Sequence, residues 1–227
     1  MTITITWHGH ATLSLDVSGT KVLVDPYFTD NPAAQTKADA VKADHILLTH
    51  GHGDHIGDTL AIAKRSNAQV IANFEVSNWI SAQGHENVHA QHVGGGFDHA
   101  FGRVKLTQAF HGSALPDGSY GGMPAGLLLT LEGKKIYIAG DTALFSDMKL
   151  YGQVGLDLAV IPIGDNFTMG PDDAFQAVQF LQAKVVIPYH YNTWPPIEQD
   201  VQAWAERVRS ETDSQVVVLD VDQSYTV

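Results

Sequence analysis

The sequence has no cysteine. That absence excludes disulfide bonds and thiolate metal ligands, and it suits a reducing compartment. Cationic side chains are also scarce: 13 Lys and Arg stand against 25 Asp and Glu, for a formal net charge of −12. Affinity for nucleic acid rests largely on Lys and Arg contacts to phosphates, so no nucleic-acid partner is expected. No apolar run reaches the ~20 residues that a membrane-spanning helix requires, and no membrane span is expected. Residues 2–7 alternate in the manner of a strand, without the basic segment and apolar stretch of a secretory signal, which points to a cytoplasmic location. No linker, low-complexity tract or shift in composition interrupts the chain. Its 227 residues, 44% hydrophobic and 17% charged, are therefore expected to form a single domain, 1–227, with a substantial core.

What the chain does have is a concentration of histidine. The stretch Thr49-His50-Gly51-His52-Gly53-Asp54-His55 crowds three imidazoles and a carboxylate together. Folded inward without compensation, such a group would bury polar surface at a cost. Neutral imidazole and carboxylate are preferred ligands of Zn²⁺ and similar ions, and a divalent metal resolves the conflict. The two glycines allow a tight enough turn for neighbouring side chains to converge. The preceding run His45-Ile46-Leu47-Leu48-Thr49 reads as a short buried strand. The ligand loop thus follows the C-terminal end of a strand, where α/β proteins place their sites.

This H-x-H-x-D-H pattern resembles the metallo-β-lactamase superfamily, and three further positions fit it in order. They are His111 in Gln108-Ala109-Phe110-His111-Gly112, Asp141 in Ala139-Gly140-Asp141-Thr142, and His190 in Ile187-Pro188-Tyr189-His190-Tyr191. Trp7-His8-Gly9-His10-Ala11-Thr12, Asp25-Pro26, the segment 162–171 and His190-Tyr191-Asn192-Thr193-Trp194-Pro195 look like the small single-domain hydrolases of that superfamily, the UPF0173 group. These are related to the ascorbate-6-phosphate lactonase group and, more distantly, to N-acyl-phosphatidylethanolamine phosphodiesterases. The resemblance implies an α/β fold, an αβ/βα four-layer sandwich of two mixed sheets with helices outside. It implies two divalent ions, with Zn²⁺ favoured and Mn²⁺ or Fe²⁺ left open. His50, His52 and His111 would hold one ion, Asp54, His55 and His190 the other, and Asp141 would bridge them. A metal-bound hydroxide would attack a small ester, lactone or phosphodiester. Two alternatives remain: a phosphodiesterase or nuclease acting on RNA, and a non-catalytic metal-binding module. A redox di-iron enzyme is disfavoured, because that relative has Glu where position 52 is His.

Beyond these ligands, Asp54 and His10 are the candidates closest to the chemistry. His10 is read as a substrate contact, a donor to a ligand, or an ordinary strand-end histidine. His8 would share a face with it if the strand continued that far. Asp25 is read as an acceptor fixing an imidazole tautomer, or else as a turn former. Asn166 and Thr168, with Asp165, either line the pocket or make a turn. Phe28, Tyr191 and Trp194-Pro195-Pro196 are candidate apolar walls, and 113–124 is the candidate mobile loop. His45, His85, His89, His92 and His99 match no ligand position. The partner is a small-molecule substrate, and self-association is left open. Strands are expected at 2–7, 12–17, 21–24, 44–49, 69–72, 88–92, 103–110, 125–132, 134–139, 156–163, 183–189 and 215–221. Helices are expected at 60–65, 74–82, 144–151, 172–181 and 198–209.

Overall fold

The structure is a computed structural model that describes residues 2–227. It opens with three antiparallel strands, β1 (Ile3–Trp7), β2 (Leu13–Val17) and β3 (Thr20–Val24). In β1 and β2 alternate residues are buried, as expected of strands with one covered face. Ser18 and Gly19, both with positive φ (50° and 100°), make the two-residue turn from β2 to β3 that suits the twist of a hairpin. Three parallel strands follow: β4 (His45–Leu47), β5 (Gln69–Asn73) and β6 (Val88–Gln91). Between them lie α1 (Gly53–Ile56), α2 (Thr59–Ser66) and α3 (Phe74–Ala82).

The second half repeats the plan. β7 (Gly96–His99), β8 (Gly102–Gln108), β9 (Ala125–Leu131) and β10 (Lys134–Ile138) form an antiparallel meander. Its β9–β10 turn, at Glu132 and Gly133, again has positive φ at both residues. Helix α4 (Met148–Gly152) leads into the parallel strands β11 (Leu158–Pro162) and β12 (Val185–Tyr189), which are buried along their whole length. Helix α5 (Pro171–Leu181) connects them, and α6 (Val201–Glu211) leads to β13 (Gln215–Val216). β14 (Ser224–Thr226) returns to pair with β1. Two seven-stranded mixed sheets result, ordered β14-β1-β2-β3-β4-β5-β6 and β13-β12-β11-β10-β9-β8-β7.

One apolar cluster joins the sheets, with Ile5, Leu13 and Val24 packed among Leu127, Leu129 and Ile138. It runs on to the inner faces of α5 and α6 through Phe175, Val178, Trp204 and Val208. A second cluster seats Ile62 of α2 and Val76 and Ile80 of α3 on Ile46 and Val70 of the other sheet. The α/β sandwich with helices outside is therefore as the sequence implies. Among the described residues no helix is long and apolar enough to cross a membrane.

Several boundaries differ from the sequence reading. The expected helix at 144–151 starts only at Met148. The strand expected at 215–221 stops at Val216. α6 begins at Val201, where the Asp200 carboxylate accepts from the Ala203 amide at 3.0 Å and fixes the first turn. The strand at 2–7 does not extend to His10: Gly9 and His10 have φ of 92° and 52°. His8 consequently faces away from His10 and bonds Ser14 and Asp222.

Candidate metal centre

The candidate ligands sit on loops beyond the C-terminal ends of strands from both sheets. The loop after β4 carries His50 and His52, and α1 carries Asp54 and His55. His111 follows β8, Asp141 follows β10, and His190 follows β12. Gly140, at φ 67°, has no room for a side chain: a Cβ there would lie 2.7 Å from the Ala125 carbonyl oxygen. The close approach lets Asp141 enter the gap between the sheets. His10, Asp25 and His190 are non-glycine residues at φ of 52°, 46° and 54°. That conformation costs roughly 1–3 kcal/mol each and persists where surrounding structure enforces it. Here the His10 carbonyl accepts from the His190 amide at 3.0 Å and from the Trp7 indole at 2.8 Å.

Three sets of side chains could each hold an ion: His50, His52 and His111; His50, His55 and Asp141; and His10, Asp54, His55 and His190. His50 and His55 link the sets into one continuous centre. Asp141 Oδ2 is its hub, 3.1 Å from His190 Nε2, 3.3 Å from His55 Nε2 and 3.5 Å from His111 Nε2. Yet His55 Nε2, both ring nitrogens of His190 and Asp141 Oδ1 are buried without a hydrogen-bond partner. Unpaired buried polar atoms are costly and rare. The Nε2 atoms of His190 and His55 both face the Asp141 carboxylate, an arrangement that a cation would satisfy, so these residues fit the divalent metal that the sequence implies.

Asp25 lies behind the centre, fully buried. Its Oδ1 accepts from the Thr49 amide at 2.8 Å. Its Oδ2 accepts from the Thr49 hydroxyl at 2.6 Å and from His55 Nδ1 at 2.8 Å. With its proton committed to Asp25, Thr49 Oγ1 can only accept from His50 Nδ1, 3.0 Å away. One carboxylate thus fixes a proton on Nδ1 of both His50 and His55 and turns each Nε2 toward the centre as the atom that would meet a metal.

The electrostatics follow from burial and from this crowding. Burial, then the neighbouring imidazole of His55, holds His50 well below the ordinary histidine range. Burial lowers His52 and His111 as well. For His55 burial acts in the same direction, but the charges of Asp141 and Asp25 overcome it and raise the imidazole well above its usual value. Burial would raise Asp141, and the facing His190 and His55 instead hold it well below the usual carboxylate range. Burial, then His190, lowers His10 to about 4.

A cavity of about 420 Å³ opens over the centre. Its floor is His52, Asp54, His111, Asp141 and His190, and its walls are Phe167, Trp194 and Pro196. His10 is not part of the lining. It is fully buried, with Nε2 donating to Asp54 Oδ2 at 3.1 Å and Nδ1 2.9 Å from Thr193 Oγ1.

Residues 20–191 match the family model described as the beta-lactamase superfamily domain. A UPF0173 metal-dependent hydrolase of Bacillus cereus strain B4264 is 50% identical over 229 residues, covering 98% of this chain and 99% of that protein. The chain belongs to the metallo-β-lactamase superfamily, as one of its UPF0173 metal-dependent hydrolases. The structure of Igni18, a metallo hydrolase from the hyperthermophilic archaeon Ignicoccus hospitalis, superimposes with a TM-score of 0.92 at 32% identity, covering 100% of this chain and 99% of that one. CmlA, a diiron β-hydroxylase from Streptomyces venezuelae, shares the fold with a TM-score of 0.75 at 17% identity, over 99% of this chain and 54% of that one.

Against this metallo-β-lactamase frame, the structure brings all seven sequence-derived ligand candidates together, with Asp25 and His10 behind them. It does not bring Asn166 or Thr168 into the cavity lining. Asp165 and Asn166, at φ of 63° and 52°, make a turn in which the Asn166 amide bonds the Asp165 carboxylate. That turn presents Phe167 instead. Phe28 packs in the core under α2 and α3, and Tyr191 stacks on Trp7 with ring centroids 5.4 Å apart, so neither is a pocket wall. The segment 113–124 is pinned rather than loose, with Leu115 buried and Asn73 Nδ2 donating to the carbonyls of Gly121 and Met123. Thr49, Thr193 and Phe167 were not picked out from sequence; the hydroxyls at least flank the two histidine motifs directly. His85 donates to the Ala68 carbonyl, and none of His45, His85, His89, His92 and His99 enters a set able to hold metal among the described residues.

Proposed function

We propose that this hydrolase is dinuclear and cleaves a small ester, lactone or phosphodiester. One ion would be held by His50, His52 and His111, the second by Asp54, His55 and His190, with Asp141 between them. The observation that carries this reading is the convergence of buried, partnerless atoms on His55, His190 and Asp141. Seven ligand groups also exceed what one tetrahedral ion uses. The absence of thiolate and the His/Asp mixture suit Zn²⁺, and Mn²⁺ or Fe²⁺ are compatible. Bound there, such ions supply nucleophilic water at neutral pH, by lowering its pKa to about 7, and polarise the scissile carbonyl or phosphoryl oxygen.

The chain's own residues prepare that chemistry. Asp25 and Thr49 set the tautomers of His50 and His55. His10 is neutral at physiological pH, its pKa being about 4, and its Nε2 proton holds the Asp54 carboxylate in place. This makes His10 a positioning residue that acts through Asp54, while Asp54 faces the cavity and the reacting atoms. Trp194 and Phe167 give the cavity an apolar wall beside these groups.

Elemental analysis after reconstitution with Zn²⁺ or Mn²⁺, with turnover measured on lactone, ester and phosphodiester panels, tests the proposal. Close to two ions per chain and metal-dependent hydrolysis are expected. One ion or fewer would overturn the dinuclear assignment, and full occupancy without turnover would overturn the hydrolytic one.

A further inference from the structure

A second cavity, of about 670 Å³, lies beside the first and shares His52 and His111 with it. Its outer side is the pinned segment that ends at Pro124. Seven large apolar side chains stand exposed among the described residues, and four of them ring these two cavities. Phe110, Tyr120 and Met123 border the second and Phe167 the first, each more than half exposed. Trp194 and Pro196 continue the apolar surface to the candidate metal centre. A cluster of this kind marks a binding surface, whereas single exposed apolar residues need no explanation.

The surface is also preformed. The Ser113 hydroxyl donates to the Gly121 carbonyl at 2.9 Å and accepts from the Gly51 amide at 3.1 Å. Trp79 Nε1 donates to Asp117 Oδ2 at 2.8 Å. Tyr120 and Met123 are therefore held out by a fixed loop.

Charge decides what the surface takes. No Lys or Arg lines either cavity, and the two carboxylates of the first, Asp54 and Asp141, are committed to the proposed ions, so positive charge would be confined to the metal centre itself. A phosphate or carboxylate carried away from the scissile bond would find no cationic partner there. We propose that the substrate is a neutral acyl ester or lactone with an extended apolar chain, and that the Phe110–Tyr120–Met123 groove receives that chain. This rests on the hydrolytic reading above and narrows its substrate class.

The test uses the full chain, zinc-loaded, with p-nitrophenyl esters of two to ten acyl carbons and their ω-carboxylate counterparts. kcat/KM should rise about fourfold per added methylene, the equivalent of roughly 0.8 kcal/mol per buried methylene, until the groove is filled. The ω-carboxylates should fall at least tenfold below neutral esters of equal length. The double variant Tyr120→Ser, Met123→Ser should flatten the chain-length slope. A second readout needs neither metal nor turnover: octanamide should quench the metal-free protein's tryptophan fluorescence saturably, and at least tenfold more weakly in the double variant. A flat slope, preference for ω-carboxylates, or a slope unchanged in the double variant would overturn the inference while the hydrolytic reading stood. Octanamide binding that depends on Tyr120 and Met123, with no ester, lactone or phosphodiester cleaved by the zinc-loaded chain, would support the groove and defeat the hydrolytic reading.

Discussion

Asp25→Asn isolates what one buried carboxylate does for the centre. Asp25 accepts three hydrogen bonds, from the Thr49 amide at 2.8 Å, the Thr49 hydroxyl at 2.6 Å and His55 Nδ1 at 2.8 Å. An asparagine can place its carbonyl oxygen at the Oδ2 position and keep the last two. Its amide then faces the Thr49 N–H, donor against donor, and a buried unsatisfied donor costs about 1–3 kcal/mol. The two retained bonds lose their charged acceptor, worth about another 1 kcal/mol each. The metal-free variant should therefore be less stable by about 3–5 kcal/mol, which for a chain of this size lowers Tm by roughly 6–20 °C. Because His50 and His55 would both lose a fixed tautomer, metal affinity should fall ~10–100-fold. The control is Asp58→Asn. Asp58 likewise accepts three bonds, from the amides of Phe28 and Thr29 at 2.8 Å and the Thr29 hydroxyl at 2.6 Å, but it touches no imidazole. It should lose stability alone. Competition with a calibrated zinc chelator and a melting curve, run on both variants, separate the effects. Equal and wild-type zinc affinity in the two proteins would refute the assignment of Asp25 as the residue that orients the ligands.

Asp141→Ala should reduce retained metal and activity more than alanine at any one ligand histidine, since Asp141 faces His55, His111 and His190 at once; parity with a His92→Ala control would show the hub to be misplaced. His10→Ala should weaken metal binding ~10–100-fold yet leave kcat/KM near wild type when fully loaded, and intact metal content with lost turnover would instead make His10 a substrate contact. Far from the centre, burial, and then His89 and His45, lower His99 from 6.5 to about 4. The unfolded chain therefore binds a proton there that the folded chain does not, so stability is full above pH 6.5 and is lost as pH falls toward about 4. His99→Gln should make the decline in Tm across that window shallower, and an unchanged decline would contradict the sign.

The candidate ligands were legible because each is local: a dense motif or a single residue placed directly after an apolar strand. The meander and the parallel strands were legible for a related reason, since alternation in β1 and β2 and continuous burial in β11 and β12 differ by eye. β7 and β14 were not, being four and three residues long and defined by pairing with distant strands rather than by their own pattern. α1 was hidden by Gly53, which reads as turn chemistry but begins a helical turn that carries Asp54 and His55. Whether His8 shares a face with His10 hung on how far the strand runs; β1 ends at Trp7, and Gly9, at φ 92°, turns the chain between the two histidines. The pocket wall failed in a similar way: the turn at Asp165 and Asn166 decides that Phe167, not its polar neighbours, reaches the cavity.

The central claim is that two ions sit in this cluster, one on each side of Asp141. Crystals of the zinc-loaded protein, measured at the zinc absorption edge, test it directly. Two anomalous peaks about 4 Å apart are predicted, one within bonding reach of His50, His52 and His111 and the other of Asp54, His55 and His190. A single peak after full reconstitution, or peaks away from Asp141, would contradict it.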